Sequence, residues 1–140
     1  MKENIFDYLK DYGFEKEDIF SFQDINDNLF FVDISLVTTN IKFFEDKGLS
    51  KEEVMKVIKN NPFLLTIGSK KKELLDNIYY NIFTKEELKN LIINYPDSYI
   101  VNPLELKELI DYIKNKGLDI KEVINKDYRV LEKTIYNIDI

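Results

Sequence analysis

The stretch FFEDKGLSKEEVMKVIKNNPFLL, Phe43–Leu65, decides the fold because it contains the signals for two consecutive helices. Gly48 with an apolar residue after it is typical of a helix that ends in a left-handed glycine. Ser50 with a glutamate three residues later is typical of a capped helix start. Pro62 has no backbone N–H and predicts the end of that second helix. A weaker copy, IYYNIFTKEELKNLIINYPDSYI, occupies Ile78–Ile100.

The same markers recur along the chain at a period of 34 to 35 residues. Gly13, Gly48 and Gly117 are separated by 35 and 69 residues, and Ile82 stands where a marker is missing between the last two. An apolar residue follows every marker, and a capping or acidic residue comes next. A period of this size is typical of stacked helical units. The sequence therefore predicts an all-α fold, a short array of helical hairpin repeats in one domain, residues 1–140, with repeats at approximately 1–34, 35–68, 69–101 and 102–140.

Caps, glycine stops and apolar spacing predict the individual helices. The expected helix pairs are 3–12 with 15–23, 36–47 with 51–60, 70–81 with 85–94, and 103–116 with 120–126. Ser35, Ser69 and Asn102 are expected to cap the first helices of their repeats. Apolar residues within Leu131–Ile138 predict one last helix. Between Asn28 and Ser35 apolar residues alternate, so a short extended segment is the alternative there to a helical turn.

The central stretch resembles a repeat of the mitochondrial transcription termination factor (mTERF) family. In the first copy the matching residues are Gly48, Leu49, Ser50, Val54, Ile58, Pro62, Leu64 and Leu65. In the second copy they are Phe83, Thr84, Leu88, Ile92, Pro96 and Ile100. The resemblance covers roughly residues 35–131. It implies a right-curved solenoid of helical triplets and, as in the family, nucleic-acid binding on a basic concave face.

Composition limits the functions that the chain can have. Cysteine and histidine are both absent, so we expect no enzyme, no cofactor, no metal site and no small-molecule substrate. The segment Asp24–Asn28, DINDN, imitates the start of a calcium loop but lacks its glycine and its glutamate, and we expect a turn there. No run of about 18 apolar residues predicts a membrane span. The N-terminal stretch carries acids where a targeting peptide carries bases, so we expect a cytoplasmic protein. The abundance of isoleucine, lysine and asparagine indicates an A+T-rich genome, such as that of a phage or mobile element.

The formal net charge of −6 disfavours binding to phosphate backbones and favours a basic protein partner. Our first hypothesis is therefore a non-enzymatic binding module that engages a protein with a basic surface, as an inhibitor or regulator of a nucleic-acid-binding protein. Two tyrosines flank Pro96, and tyrosine is enriched in binding surfaces. The only run of lysines lies at a helix start, where the helix dipole disfavours it. The expected contact residues are Tyr95, Tyr99, Lys70, Lys71 and Lys72.

The alternative hypothesis is a nucleic-acid-binding factor of the mTERF type. Lysine occurs at the same repeat position in three repeats, and those side chains are expected to form a column. With neighbouring lysines they would form a stripe for phosphates on the concave face. The residues of this stripe are Lys16, Lys51, Lys56, Lys59, Lys85 and Lys89. Neutralisation of these lysines by adjacent glutamates is the competing interpretation.

Overall fold

The computed structural model describes residues 4–140 and contains eight α-helices and three 3-10 helices in that range. The α-helices are α1 Ile5–Tyr12, α2 Lys16–Ile25, α3 Ile34–Asp46, α4 Lys51–Asn60, α5 Ser69–Tyr80, α6 Lys85–Asn94, α7 Pro103–Asn115 and α8 Ile120–Lys126. The 3-10 helices are η1 Pro62–Thr66, η2 Pro96–Tyr99 and η3 Tyr128–Glu132. No β-strand occurs between residues 4 and 140, which confirms the all-α prediction. The expected start of the first helix at residue 3 lies outside the described residues.

The chain divides into two compact units, one up to Gly68 and one from Ser69 onward. The first unit contains α1 to α4 and η1, and the second contains α5 to α8, η2 and η3. Three times along the chain, two α-helices are followed by a 3-10 helix, which is the triplet that the family resemblance implied. The assignment of residues 1–140 to a single domain stays a prediction. No helix in residues 4–140 has the length and apolar character needed to cross a membrane.

Both predicted capping boxes are present. The hydroxyl of Ser50 accepts a hydrogen bond from the backbone N–H of Glu53 at 3.2 Å, and the Glu53 carboxylate accepts from the backbone N–H of Ser50 at 2.8 Å. Thr84 and Glu87 repeat this exchange at 3.2 and 2.9 Å. Each box satisfies two N–H groups that would otherwise have no partner in the first turn. Both helices therefore begin where the sequence predicts.

Two of the predicted caps on first helices are wrong. Asp33 caps α3, since its carboxylate accepts from the backbone N–H of Ser35 at 2.9 Å, and Ser35 lies inside the helix. Aspartate is as good a cap as serine, and the helix begins at the earlier of the two. Ser69 is the first residue of α5 instead of its cap. Asn102 does cap α7, because its side-chain oxygen accepts from the N–H groups of Leu104 and Glu105.

The segment 28–35 forms turns that lead into the start of α3, so the extended alternative is wrong. The N–H of Leu29 donates to the carbonyl oxygen of Asn26 at 3.0 Å, and the N–H of Phe31 donates to that of Asn28 at 2.9 Å. Leu29 is fully buried while Phe31 is exposed. With no neighbouring strand among the described residues to pair with its backbone, the segment satisfies its polar groups locally.

The predicted last helix over 131–138 is also wrong. The chain forms η3 up to Glu132 and then a turn, in which the N–H of Ile138 donates to the carbonyl oxygen of Thr134 at 3.1 Å. The side-chain oxygen of Asn137 accepts from the N–H of Thr134 at 2.7 Å. Asparagine and threonine bond the local backbone in this way, which competes with helix formation. Only the first apolar residue of the segment, Leu131, is fully buried.

Buried asparagines hold η1 in place in the first unit. The side-chain amide of Asn40, which is fully buried in α3, donates to the carbonyl oxygens of Leu65 and Ile67 at 2.9 and 3.1 Å. Asn26, at the end of α2, donates to the hydroxyl of Thr66 at 3.0 Å and the carbonyl oxygen of Pro62 at 3.3 Å. These bonds join α2 and α3 to η1 and to Ile67 just after it, and they satisfy the buried amide groups of both asparagines. A turn at Asp24–Asn28 was predicted, but the structural role of Asn26 was not.

Candidate nucleic-acid interface

Three second helices begin with an exposed lysine immediately after the cap. These are Lys16 in α2 and Lys51 in α4, both in the first unit, and Lys85 in α6, in the second. The cap residue before each of them is extended, with ψ between 154° and 168°, and the helix starts at the lysine in all three repeats. The local repeat therefore places an ammonium group at the same position of each helix.

Two of these lysines lie over aromatic rings in the first unit. The Nζ of Lys51 is 5.3 Å from the centroid of the Tyr12 ring, and the Nζ of Lys16 is 5.7 Å from that of Phe20. The Phe20 side chain is 47% exposed, and the Tyr12 ring is half-buried. Tyr12 also donates from its hydroxyl to the Glu45 carboxylate at 3.1 Å. We call these four residues, Tyr12, Lys16, Phe20 and Lys51, the lysine–aromatic patch.

The glutamates directly after these lysines, Glu17, Glu52 and Glu86, are exposed and form no ion pair with a residue in the described range 4–140. Other acids close to the lysines are engaged elsewhere in the fold. Glu53 and Glu87 belong to the capping boxes. Asp18 forms an ion pair with Lys59 at 3.3 Å. The hydrogen bond with the Thr84 backbone N–H, helped by Lys121 at 2.9 Å, lowers the pKa of Glu87. These carboxylates therefore stabilise helix starts and inter-helix contacts instead of neutralising the neighbouring lysine alone.

The other lysines of the predicted stripe differ in availability. Lys56 is exposed on α4 and has no ion pair with a residue in the described part of the chain. Lys59 is held by its ion pair with Asp18, and Lys89 is half-buried on α6. Of the six predicted lysines, those with an exposed side chain and no ion pair among residues 4–140 are Lys16, Lys51, Lys56 and Lys85.

The two tyrosines predicted for protein contact lie mostly inside the second unit. Tyr99 is fully buried, its hydroxyl donates to the Asp76 carboxylate at 2.5 Å, and its ring meets that of Tyr79 at 5.4 Å. Tyr95 is half-buried, stacks on Tyr128 at 6.0 Å and donates from its hydroxyl to a glutamate in η3. The expectation that both side chains form a contact surface is wrong for Tyr99, because η2 turns it into the core.

The lysine run is only partly on the surface. Lys70 is exposed. Lys71 is half-buried and donates from Nζ to the carbonyl oxygen of Ile100 at 2.5 Å. Lys72 is only 5% exposed, and burial lowers its pKa, an effect that nearby Asp76 partly offsets. Two of the three lysines are therefore structural, and the long aliphatic stem of lysine makes such burial tolerable.

Tyr12 and Phe20 were not among the predicted site residues. The spacing of Lys16 and Phe20, four residues apart in one helix, is a signal that could have found one pair. The contact between Lys51 and Tyr12 joins α4 to α1, and no local pattern predicts it.

Comparison with known proteins gives the family. The mTERF family model matches residues 1–132, which is most of the chain. Transcription termination factor 3, mitochondrial, from Mus musculus, is 33% identical over 70 residues, a match that covers 50% of this chain. The match covers 16% of the mouse protein, so this chain corresponds to a small part of that relative. The profile match and the helix–helix–3-10 triplets agree with the resemblance seen in the repeats, and the chain belongs to the mTERF family.

Proposed function

We propose that this chain is a nucleic-acid-binding helical-repeat protein that contacts phosphates through the lysines at the starts of its second helices. Membership of the mTERF family supports this function, as does the name of the mouse relative, a transcription termination factor. The observation that carries the proposal is the recurrence of an exposed lysine at the first position of α2, α4 and α6. Repeat proteins bind extended ligands by presenting equivalent side chains from successive units.

The lysine–aromatic patch indicates which parts of a nucleic acid the protein would contact. Lysine ammonium groups attract phosphates, and the part of the Phe20 ring that Lys16 and Phe6 leave exposed offers a surface on which a base can stack. Stacking of this kind requires an unpaired base, so the patch favours single-stranded nucleic acid over a duplex. We therefore infer that the preferred ligand is single-stranded, with phosphates at Lys16 and Lys51 and a base near Phe20.

The net charge of −6 is the main argument against this function. It describes the whole chain, whereas binding depends on the local distribution of charge. Glu53 and Glu87 are engaged in capping boxes and Asp18 in its ion pair with Lys59. The glutamates directly after the three lysines are exposed and reduce the local positive charge. We expect moderate affinity that is sensitive to salt.

The earlier hypothesis of a partner with a basic surface has weaker support. One of its contact residues, Tyr99, is buried, and two of its three lysines are held inside the second unit. The family match also favours nucleic acid. We therefore adopt the alternative hypothesis as the proposed function.

Fluorescence anisotropy with labelled oligonucleotides tests the proposal. Single-stranded and double-stranded DNA and RNA of equal length are titrated with the protein at salt concentrations from about 50 to about 200 mM. The proposal predicts binding at the lowest salt, stronger for single strands, and a steep loss of affinity as salt increases. Absence of binding to every oligonucleotide at about 50 mM salt would contradict it.

A further inference from the structure

A groove of about 370 Å³ runs between α5 and α7 in the second unit. One wall is formed by Leu74 and Ile78 of α5 and by Ile82 in the turn that follows it, and the other by Leu104 and Ile110 of α7. Leu74 and Ile78 are four residues apart, so they lie on one face of α5, about 6 Å apart along its axis. None of the side chains that line this α5–α7 groove is aromatic. The groove contains none of the lysines assigned above to nucleic-acid binding.

The floor of the groove is mainly aliphatic, although Asn77 and Asn81 also line it. Leu104 is 70% exposed, although it is a large aliphatic residue in the first turn of a helix. It also borders a second depression, of about 540 Å³, that continues from the groove toward Lys70. Leucine that is left exposed in a concave surface marks a place where apolar area can still be buried.

The rim of the groove has the opposite charge to the protein as a whole. Exposed Lys107 and Lys114 lie along α7, and exposed Lys70 lies at the end near Leu104. None of these three lysines forms an ion pair with another residue of the part of the chain that the structure describes. Asp111 is the single acid that lines the groove. In a chain of net charge −6, this surface is locally basic.

The apolar floor and basic rim identify the chemistry of an occupant. Aliphatic side chains do not stack on bases, so the floor is poorly suited to single-stranded nucleic acid. An amphipathic helix has leucine-like anchors spaced by three and four residues, and such anchors fit a groove between two helices. Acids flanking those anchors would meet the rim lysines, and this complementarity would set both the orientation and the association rate.

We propose that the α5–α7 groove binds an acidic amphipathic helix of a partner protein. The site is independent of the proposed nucleic-acid function, because the groove and the lysine–aromatic patch share no residue. The partner chemistry is the reverse of the basic surface expected from net charge alone. Binding places the partner helix along Leu74, Ile78 and Ile82.

Selection from a display library of helical peptides tests this inference with a defined probe. The peptides are about 14 residues long, which is about four turns, with all solvent-facing and groove-facing positions randomised. The intact chain is the bait, and a Leu104→Glu, Lys107→Glu variant is used for counter-selection. Enriched peptides are expected to carry apolar residues at positions i, i+3 or i+4, and i+7, with glutamate or aspartate beside them. Failure to enrich any peptide, or enrichment of basic or uniformly polar peptides, would overturn the inference.

The best enriched peptide is then measured by anisotropy against single variants. Leu104→Glu and Lys107→Glu are expected to weaken its binding by about tenfold or more each, as loss of a central anchor or its charge partner does. Lys126→Glu, on α8 and away from the groove, makes the same charge change as Lys107→Glu and is expected to leave binding unchanged. Each substituted side chain is exposed, and circular dichroism checks that the helices remain.

Oligonucleotide binding by the same variants separates this site from the proposed function. Leu104→Glu is expected to leave oligonucleotide affinity unchanged while it weakens the peptide. If Leu104→Glu weakened the oligonucleotide and left the peptide unaffected, the groove would be a nucleic-acid site and the inference would be wrong. If no oligonucleotide bound but the peptide behaved as expected, the proposed function alone would fail.

Discussion

The hydroxyl of Tyr79 in α5 donates a hydrogen bond of 2.5 Å to the backbone carbonyl oxygen of Ser98 in η2. Tyr79 is fully buried, so this bond joins the first helix of the triplet to its 3-10 helix inside the second unit. In the first unit the side-chain amide of Asn40 joins α3 to η1, because it donates to the carbonyl oxygens of Leu65 in η1 and of Ile67 just after it. Different side chains thus meet the same requirement, a donor for the carbonyl groups of a proline-initiated 3-10 helix.

Tyr79→Phe is expected to destabilise the protein by about 1–2 kcal/mol, because the Ser98 carbonyl oxygen loses its buried donor while the ring packing stays. Urea unfolding followed by circular dichroism measures the change in the free energy of unfolding. Tyr136→Phe is the matched control, since Tyr136 is exposed, and it is expected to change stability little. Equal stability of the wild type and Tyr79→Phe would show that the bond contributes nothing.

Glycine at the ends of α1 and α7 gives a second prediction. Gly13 has φ 137° and Gly117 has φ 78°, both in the region that L side chains rarely adopt. A Cβ at position 13 would also lie 3.2 Å from the Lys51 side chain and from Met55, whereas nothing lies within 4 Å at position 117. We therefore expect Gly117→Ala to cost about 1 kcal/mol and Gly13→Ala about 2–3 kcal/mol.

Both glycine variants are measured by urea unfolding under the same conditions, so that each serves as the control for the other. An equal loss of stability in the two would mean that the contacts with Lys51 and Met55 are relieved by side-chain movement. A greater loss at position 117 would contradict the expected order.

Stability is expected to fall in alkali because of the buried tyrosines. Burial raises the pKa of Tyr79, and burial with the hydrogen bond to Asp76 raises that of Tyr99. The unfolded chain ionises these phenols above about pH 10, where the folded chain does not, so the unfolded state binds fewer protons and stability decreases with pH. The expected slope for each such tyrosine is about 0.7 kcal/mol per pH unit near pH 10 and approaches about 1.4 kcal/mol per pH unit above it.

Urea unfolding at several pH values between about 9 and 11 measures this slope, with tyrosinate absorbance as a second signal. Burial lowers the pKa of Lys71 and of Lys72, so the unfolded state binds more protons at these two lysines than the folded state does. Their contribution to the free energy of unfolding therefore increases with pH, up to about the ordinary lysine pKa. The lysine contributions are the same in the wild type and in Tyr79→Phe, so they cancel when the two proteins are compared. The variant should lose less stability than the wild type over the same interval, and an identical slope would contradict the assignment.

The sequence predicted the helices well where the signals are local. Helices α4 and α6 have the predicted bounds, because a capping box begins each and a proline follows each. The 3-10 helix after Pro62 was implied by the family resemblance but by no local signal, since Asn40, which donates hydrogen bonds to this segment, lies in another helix. Burial of Tyr99 was missed for the same reason, because its partner Asp76 lies on α5. Periodicity within a helix does not report contacts between helices.

The candidate site was predictable in part. The position of Lys51 and Lys85 at helix starts follows from the cap residues Ser50 and Thr84. The helix predicted from residue 15 begins one residue later, at Lys16, and Glu15 makes no side-chain capping bond. The rings beside Lys16 and Lys51 were not predicted, because the contact of Lys51 with Tyr12 depends on tertiary packing. Lysine usually indicates an exposed position, so the burial of Lys72 was not expected from the sequence.

The prediction that concerns function most directly uses two variants with the same change in net charge. In one, Lys16, Lys51 and Lys85 are replaced by glutamine. In the other, glutamine replaces three exposed lysines that do not begin a second helix, namely Lys42, Lys116 and Lys126. Removal of a positive charge from a helix start is favourable to the helix dipole, so loss of affinity in the first variant would not result from unfolding.

The decisive measurement is the slope of log affinity against log salt for a single-stranded oligonucleotide. Each lysine that contacts a phosphate contributes up to about 0.7 to this slope on single strands. The Lys16, Lys51 and Lys85 variant is therefore expected to have a slope shallower by about 1–2 than the wild type, and the control variant should retain the wild-type slope. An identical slope and affinity for both variants and the wild type would contradict the account.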